Sequence, residues 1–503
     1  MQILTAEQIR AWDQYTITQE PVASIDLMER AATACVDWLL DNDYKDHSFQ
    51  VFCGKGNNGG DGLVIARLLA GTGHAVTVSI LEFGHLGTPD FQANLARIHA
   101  TPHVQVRFIS SEETLTPIPD EAIVIDALLG SGLNRPLEGL TAAVVSHINQ
   151  SGNTVIAIDM PTGLFADSSS KGNTVVIADH TLAFQCFKPA FLVAENSQWI
   201  GELSILDIGL LPDFLLTQPA GYQWIDQPLV QAILQPRNKF AHKGNFGHAA
   251  LVAGSKGMMG AAVLAARSCL RSGTGKLTCH IPEAGYTILQ LAAPEAMCKV
   301  EGGDHLETIG ALEAYSAVGI GPGWGQQESH ASLLSSILQK VKGPLVIDAD
   351  GLNTLARNPD LLQQLPPQTI LTPHVGELER LFGKCTNDFE RIQRTLEQAA
   401  AHQVTIILKG AYSLVATPGG LAWFNSTGNP GMATGGTGDV LTGLLTGLLA
   451  QGYIPEQAAI LAVYLHGLAG DLAAEDLSEQ SLLAGDLIDY LPHAFLELAA
   501  GRP

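Results

Sequence analysis

A short apolar run in the first half of the chain passes directly into a glycine-rich loop and then into a helical segment. The run is Phe49–Cys53, the loop is Gly54–Gly62, and the helical segment begins with LVIARLLAG. Short buried strands that alternate with helical segments predict a parallel α/β sheet with helices before and between its strands. Three further runs of this kind follow, at Ala75–Ile80, Ala122–Ile125 and Thr154–Ile158.

Other parts of the chain extend this pattern. Apolar residues at helical spacing between Thr5 and Leu40 predict one or two helices before the sheet. Between Leu211 and Gly247 the pattern gives way to prolines and scattered polar residues, which predicts a domain junction. The alternation restarts with a strand at Ala249–Val252 and a helix at Ala261–Ser272. Since 503 residues exceed the roughly 100–200 of one domain, we expect two different α/β domains.

Charge and hydropathy exclude several partners. The formal net charge of −23 repels polyanions, so we expect neither nucleic acid nor an anionic membrane surface as a partner. The apolar windows Val440–Ala450 and Ala458–Ala469 are shorter than the roughly 20 residues of a membrane-spanning helix. The seven cysteines form no CxxC pair, and the first residues do not resemble a signal peptide. We therefore expect a cytoplasmic protein.

The loop Gly54–Gly62 predicts a phosphate-binding site. The strand, glycine loop and helix place free backbone N–H groups and the positive end of a helix at one point. Gly54, Gly56 and Gly59 also fit the fingerprint of an NAD-dependent dehydrogenase, with Glu82 about 20 residues beyond the loop. The loop additionally carries Asn57, Asn58 and Asp61, which suggest direct contacts to a ligand or ion, although Asn and Asp also favour turns.

Two acids end further strands of the predicted sheet. Asp126 is followed by the turn Gly130-Ser131-Gly132, and Asp159 by Pro161-Thr162-Gly163. Because ligands bind beyond the carboxyl ends of parallel strands, both acids are expected to converge on the glycine loop. An isolated Asp in such a place is often only a helix or turn cap.

A second glycine cluster lies near the end of the chain. Gly435, Gly436 and Gly438 stand at the start of a helical run, followed by Asp439. Backbone amides there form an anion hole for a transferring phosphoryl group, and Asp439 is placed to accept a proton from an attacking hydroxyl. The simpler interpretation is an acid that stabilises a helix dipole.

The motifs GNNGGDG, DALLGSGL and DMPTG, in this order, resemble the NAD(P)H-hydrate epimerases over residues 1–215, a Rossmann-like three-layer α/β domain. The resemblance implies that Asp159 is the acid/base at the substrate. It also implies a potassium ion on Asn58, Asp126 and Thr162, where threonine replaces the expected serine. The implied dinucleotide contacts are Asp159, Asn57, Asn58, Gly59, Gly60, Asp61, Gly130, Ser131, Gly132, Leu133, Asn134, Arg135 and Pro136.

The motif GGTGD resembles the ribokinase-like kinases. With KGNFGHAALVAGS, GPGWG, IDADGLN, TPHVGELERL and LKGAYS it is similar to the ADP-dependent NAD(P)H-hydrate dehydratases over residues 225–503. The resemblance implies Asp439 as the catalytic residue, ADP as phosphoryl donor and Mg²⁺ on its phosphates, with Glu377 either an indirect Mg²⁺ ligand or a surface charge. The implied hydrate site is Ala261, Gly323, His374 and Asp439, and the implied nucleotide site is Lys409, Gly410, Ala411, Tyr412, Ser413 and Gly438.

The combined resemblance predicts repair of hydrated nicotinamide cofactors by an isomerase and a lyase in one chain, which we expect to form a homo-oligomer. His374 alone is more often a structural histidine, and only its motif supports a binding role. Two alternatives stay open. One is a small-molecule kinase fused to a dinucleotide-binding regulatory domain, and the other is a dehydrogenase in the first half.

Overall fold

The computed structural model describes residues 2–82, 84–217 and 221–500. These residues form two compact units. The first is Gln2–Ala220 with Asn387–Phe389, and the second is Gly221–Thr386 with Glu390–Pro503. The boundary lies within the proline-rich stretch in which the sequence predicts a junction.

The first unit alternates strands and helices. Its strands are β1 (Gln2–Ile3), β2 (Ser48–Cys53), β3 (Val76–Leu81), β4 (Val104–Ile109), β5 (Ala122–Ala127), β6 (Val155–Ile158), β7 (His180–Phe184) and β8 (Glu202–Leu206). Its α-helices are α1 (Ala6–Gln19), α2 (Ser24–Asp41), α3 (Asn57–Gly71), α4 (Pro89–His99), α5 (Gly139–Asn149) and α6 (Ser197–Ile200). The four strands predicted from the sequence are present within one or two residues of their expected bounds.

The sheet of the first unit is parallel, with the order β4-β3-β2-β5-β6-β7-β8. Strands β2, β5 and β6 are buried almost throughout, which explains their continuous apolar sequences. The direction of winding reverses between β2 and β5. In open α/β sheets a crevice forms at such a reversal, beyond the carboxyl ends of the strands.

The second unit contains more strands and longer helices. Its strands are β9 (Tyr222–Ile225), β10 (His248–Val252), β11 (Lys276–Ile281), β12 (Met297–Val300), β13 (Ala317–Ile320), β14 (Leu345–Ile347), β15 (Thr369–Leu371), β16 (Thr405–Leu408), β17 (Leu414–Ala416) and β18 (Ala422–Asn425). Its α-helices are α7 (Gln227–Ile233), α8 (Met259–Arg271), α9 (Tyr286–Ala292), α10 (His330–Lys340), α11 (Ala349–Arg357), α12 (Val375–Phe382), α13 (Asp388–His402), α14 (Thr437–Ala450), α15 (Pro455–Leu477) and α16 (Ala484–Ala500).

The strands of the second unit lie in the order β9-β18-β17-β16-β15-β14-β13-β10-β11-β12, and they are parallel except at β16-β17-β18. The winding reverses between β10 and β13. Helix α14 packs closely on α8 because it carries glycine at the contact. A Cβ on Gly443 would overlap the Ala265 carbonyl, and one on Gly447 would overlap the Ser272 hydroxyl.

Helix α15 is longer than the apolar window Ala458–Ala469 that it contains. Among the described residues it is the one helix whose length and composition would allow it to cross a membrane. However, 72% of its most apolar window is buried within the protein. It packs against α14 and α16, as a core helix does.

Candidate active sites

Close backbone contacts position the glycine loop of the first unit. A Cβ on Gly54 would overlap the Leu128 carbonyl, and a Cβ on Gly59 would overlap the Gly54 carbonyl. Only glycine permits these approaches, which press the loop after β2 against the loop after β5. Helix α3 begins at Asn57, with Gly56 as its N-cap, so Gly59 lies in its first turn and the helix starts earlier than the sequence predicted.

A cavity of about 520 Å³ opens at this point. Its walls include Asn57, Asn58, Asp61, Asp159 and the loop 130–135. The predicted contacts Gly59, Gly60 and Pro136 do not line it. Gly59 and Gly60 are buried and shape the loop from behind, whereas Pro136 is exposed.

Asp159 is held as an anion by two contacts. Its Oδ1 lies 2.9 Å from the Nζ atom of Lys188, which is fully buried, and its Oδ2 accepts a hydrogen bond of 3.0 Å from the Ser131 N–H. Burial acts to raise the pKa of Asp159, but the charge and hydrogen bond of Lys188 outweigh it and hold that pKa below its ordinary value. Asp159 also has a φ of +66°, a conformation that Asp tolerates better than most residues.

Two further acids face the same cavity, and their pKa values are raised rather than lowered. Burial raises the pKa of Asp61 well above its ordinary value, and the nearby Asp159 and Asp13 add to the effect. Burial and the charge of Asp159 raise the pKa of Asp13 to about 7, against an opposing effect of Lys188. The cavity therefore contains carboxyls that differ in protonation near neutral pH.

The residues expected to hold potassium offer oxygen ligands that no cationic side chain of the described residues pairs with. Both polar atoms of the Asn58 amide are buried without a hydrogen-bond partner in the described parts of the chain. The carboxylate of Asp126 is fully buried and accepts bonds of 2.8 Å from the Thr162 N–H and 2.7 Å from its Oγ1. Burial raises the pKa of Asp126 to about 6, against these hydrogen bonds. Unsatisfied amide oxygen and buried carboxylate fit a hard cation, which prefers oxygen ligands.

In the second unit, Asp439 is the third residue of α14. The N-cap of this helix, Gly436, has a φ of +98°, a left-handed conformation that favours glycine. Burial, together with the charges of Asp348 and Asp350, raises the pKa of Asp439 to about 7, while Lys409 acts to lower it. The side chain is thus poised to exchange a proton near neutral pH.

Lys409, which follows β16, lies near Asp439 and also pairs with acids that follow the neighbouring strands. Its Nζ lies 2.9 Å from Asp348 Oδ1 and 3.8 Å from Glu377 Oε2. The other oxygen of Asp348 accepts a bond of 2.7 Å from Thr442 on α14. A Cβ on Gly438 would lie 3.4 Å from the lysine Nζ, so the glycine amide and the ammonium group share one small space.

His374 combines a structural contact with an exposed face. As N-cap of α12 it accepts a bond of 3.0 Å from the Gly376 N–H, and its side chain remains 54% exposed. Glu377 is buried and accepts a bond of 2.9 Å from the His374 N–H, so it is not a surface charge. Within the described residues no three His, Cys, Asp or Glu side chains form a metal cluster. This donor set fits Mg²⁺ carried mainly by phosphates, with Glu377 as the nearby carboxylate.

A cavity of about 570 Å³ lies between the ends of β16 and α14. It is lined by His374 and by all the predicted nucleotide contacts except Tyr412. His466 also lines it and lies 2.9 Å from the Thr437 carbonyl through Nε2. Burial lowers the pKa of His466 to about 4, so the ring is neutral and Nε2 is the donor.

The remaining predicted contacts of the hydrate site, Ala261 and Gly323, lie at the reversal between β10 and β13. A Cβ on Gly323, which has a φ of +60°, would lie 3.0 Å from the Ala261 Cβ. The two residues therefore face each other. Gly325, in the same loop, donates a bond of 2.8 Å to Asp350.

Comparison with known proteins identifies a family for each half of the chain. Residues 24–190 match the family described as YjeF-related protein N-terminus, and residues 249–493 match NAD(P)H-hydrate dehydratase. The chain is similar to the bifunctional NAD(P)H-hydrate repair enzyme of Moorella thermoacetica, with 33% identity over 99% of this chain and 97% of that one. The chain belongs to the family of bifunctional NAD(P)H-hydrate repair enzymes.

Solved structures resemble the dehydratase half of the chain. A ribokinase-like superfamily protein from Enterococcus faecalis V583 is 27% identical with a TM-score of 0.50, covering 56% of this chain and 98% of that one. The ADP/ATP-dependent NAD(P)H-hydrate dehydratase from Bacillus subtilis, co-crystallised with ATP and Mg²⁺, is 36% identical with a TM-score of 0.49, covering 55% and 98%. The predicted ribokinase-like fold of the second half is confirmed.

Four residues at or beside the two sites were not predicted from the sequence. They are Asp13, Lys188, Asp348 and Thr442. Asp348 lies inside the quoted motif IDADGLN, so its position at the end of a strand was a usable signal. The other three carry no local pattern that marks them, because only the fold brings Asp13 to the cavity wall, Lys188 to Asp159 and Thr442 to Asp348.

Proposed function

We propose that the chain repairs hydrated nicotinamide cofactors in two steps. The epimerase domain, which the sequence predicts at residues 1–215 of the first unit, interconverts the R and S epimers of NAD(P)H-hydrate. The dehydratase domain, predicted at residues 225–503, dehydrates the S epimer with ADP and releases AMP and phosphate. The observation that carries the proposal is the Asp439 carboxyl on the first turn of α14, in electrostatic contact with Lys409 and preceded by three glycines.

The dehydration follows from the chemistry of leaving groups. Hydroxide leaves poorly, whereas a phosphate ester leaves readily when the neighbouring ring nitrogen donates electrons to the carbon. Asp439 takes the proton of the substrate hydroxyl as its oxygen attacks the terminal phosphorus of ADP. Lys409 and the amides of α14 offset the negative charge that develops on the phosphoryl oxygens. Mg²⁺ bound to the nucleotide supplies further neutralisation when present.

The epimerisation uses the first cavity. Asn57, Asn58 and the loop 130–135 supply amides and side chains for the dinucleotide, and Asp159 supplies a carboxylate that Lys188 keeps ionised. Potassium, when bound, would be held by Asn58, Asp126 and Thr162 and would supply positive charge close to the substrate. Two activities in one chain are chemically useful, because spontaneous damage gives both epimers while the dehydratase accepts one. We place this repair in the cytoplasm, as the sequence predicts.

The proposal is tested by incubating the protein with a mixed-epimer NADH hydrate, ADP, Mg²⁺ and K⁺. Recovery of the dihydronicotinamide absorbance is expected to be complete. The Asp439→Asn variant should recover none of the absorbance. With Asp159→Ala, recovery should stop once the S epimer is consumed, apart from the slow recovery that uncatalysed epimerisation allows. Full recovery by Asp159→Ala would favour a dinucleotide-binding regulatory domain. Transfer of phosphate to a small alcohol, without recovery of the cofactor, would favour a kinase.

A further inference from the structure

Asp13 is a second carboxyl at the wall of the first cavity, and none of the sequence motifs contains it. It lies on α1 and lines the cavity together with residues of the loops after β2 and β6. The helix is anchored by the neighbouring Trp12, which is buried and donates a bond of 2.7 Å from Nε1 to the Leu211 carbonyl. Its N-terminus is fixed by a capping box between Thr5 and Gln8. Asp13 is therefore held at the cavity by a rigid element.

The hydrogen bonding of Asp13 contrasts with that of Asp159. Both oxygens of Asp159 are occupied, one by Lys188 and one by the Ser131 amide. Within the described parts of the chain, the Asp13 carboxyl forms no hydrogen bond or ion pair, although it is partly buried. An acid without a protein partner at a cavity wall is free to exchange its proton with a bound molecule.

The charged groups around Asp13 favour its protonated form. Asp159 faces it from the loop after β6, and Asp61 from α3. Lys188 opposes them from the segment after β7, Cys186 lies nearby, and Arg10 lines the cavity one turn earlier on α1. Lys188 is committed to Asp159, so the negative charges prevail. Neighbouring acids whose environments separate their protonation states commonly act as an acid and a base.

Resting on the proposed epimerase function, we infer that Asp13 is the general acid of epimerisation and Asp159 its base. The Asp13 carboxyl gives its proton to the substrate hydroxyl. The carbon–oxygen bond breaks, both electrons leave with oxygen as water, and the nitrogen lone pair forms a carbon–nitrogen double bond. Water then adds with its own electron pair, the double-bond pair returns to nitrogen, and the water proton passes to Asp159. Proton exchange with solvent, or turnover in the reverse direction, then returns Asp13 to its protonated form and Asp159 to its ionised form.

The experiment starts from the R epimer alone, with ADP, Mg²⁺, K⁺ and intact protein. Recovery of absorbance is then limited by epimerisation, after subtraction of the uncatalysed rate. We expect Asp13→Asn to lower kcat for the R epimer by roughly 10²–10⁴-fold. Its rate with the S epimer, which needs only the second unit, should be unchanged. Glu7→Gln is the matched control, since Glu7 is an exposed acid on the same helix, and it should match the wild type.

A pH profile separates proton donation from a structural role. The wild-type kcat/KM with the R epimer should fall as the pH rises above about 7, where Asp13 loses its proton. Asp13→Glu should restore much of the rate, and its kcat/KM should still fall at alkaline pH, although at a displaced pH. This variant also tests the inference if Asp13→Asn does not fold. Asp13→Asn activity within threefold of the wild type, or an Asp13→Glu profile without an alkaline fall, would overturn the inference. Wild-type protein that leaves the R epimer unconverted would instead refute the epimerase function.

Discussion

Replacing Lys188 by Met removes the cation that neutralises a buried carboxylate. Coulomb's law at the observed 2.9 Å with an effective dielectric constant of about 20 gives an attraction of about 6 kcal/mol. The variant also avoids burying the lysine charge, which offsets part of that loss. Breaking one partner of a buried pair typically costs about 3–5 kcal/mol, and we expect a loss of this size in the free energy of unfolding at neutral pH.

The pH dependence of this loss has a definite sign. In the wild type the pKa of Asp159 is lowered on folding, so its stabilising contribution is present above the unfolded pKa and is lost as the pH falls. In Lys188→Met the unpaired carboxyl has a raised pKa, so acidification neutralises it and reduces the deficit. The difference between variant and wild type should therefore shrink as the pH is lowered.

The measurement is amide hydrogen exchange of β2 and β5 in increasing urea, because these strands report on the first unit alone. Arg30→Met is the matched control, since solvent screens the partly exposed Arg30–Glu20 pair and its loss should change stability little. The double variant Asp159→Asn/Lys188→Met should recover much of the lost stability, because no unpaired charge remains buried. A Lys188→Met deficit as small as that of Arg30→Met would refute the reasoning.

Three other predictions concern both units. With the S epimer, kcat should rise through about pH 7 as Asp439 becomes ionised, and a flat profile from about pH 6 to 8 would contradict its role as a base. Asp126→Asn should weaken the stimulation of epimerisation by KCl, measured against NaCl at constant ionic strength, while an unaltered potassium titration would argue against this site. Gly436→Ala should destabilise the second unit by roughly 1–2 kcal/mol, because its φ of +98° is left-handed. Gly435→Ala, which has open space around its Cβ, is the control in thermal unfolding, and equal melting temperatures would contradict the argument.

The fold could be predicted best where strands are buried on both faces. Strands β2, β5 and β6 have continuous apolar sequences because helices cover both sides of the sheet. Strand β4 was not predicted, since it lies at the sheet edge with much of its length exposed and carries Arg107. The apolar window Ala458–Ala469 is shorter than α15 because the last turns of the helix carry Asp471 and further acids, which end the window but not the helix.

The sites could be predicted where the chemistry resides in one contiguous motif. The glycine loop of the first unit, Asp159 and Asp439 stand in motifs whose glycines reveal close backbone approaches. Lys188 and Asp13 stand in ordinary sequence surroundings. Their importance arises only because the fold places Lys188 against Asp159 and Asp13 at the wall of the cavity. A buried lysine is recognisable as a functional partner only after its counter-ion is known.

The burial of α14 on all sides restricts how this enzyme can change during evolution. Every residue from Val440 to Ala450 is buried, and its glycines are fitted to the backbone of α8. A larger side chain at Gly443 or Gly447 would displace the helix along or away from its neighbour and carry Asp439 with it. Activity in the second unit therefore depends on small residues that do not themselves line the cavity, and new substrate preferences would have to arise in the surrounding loops.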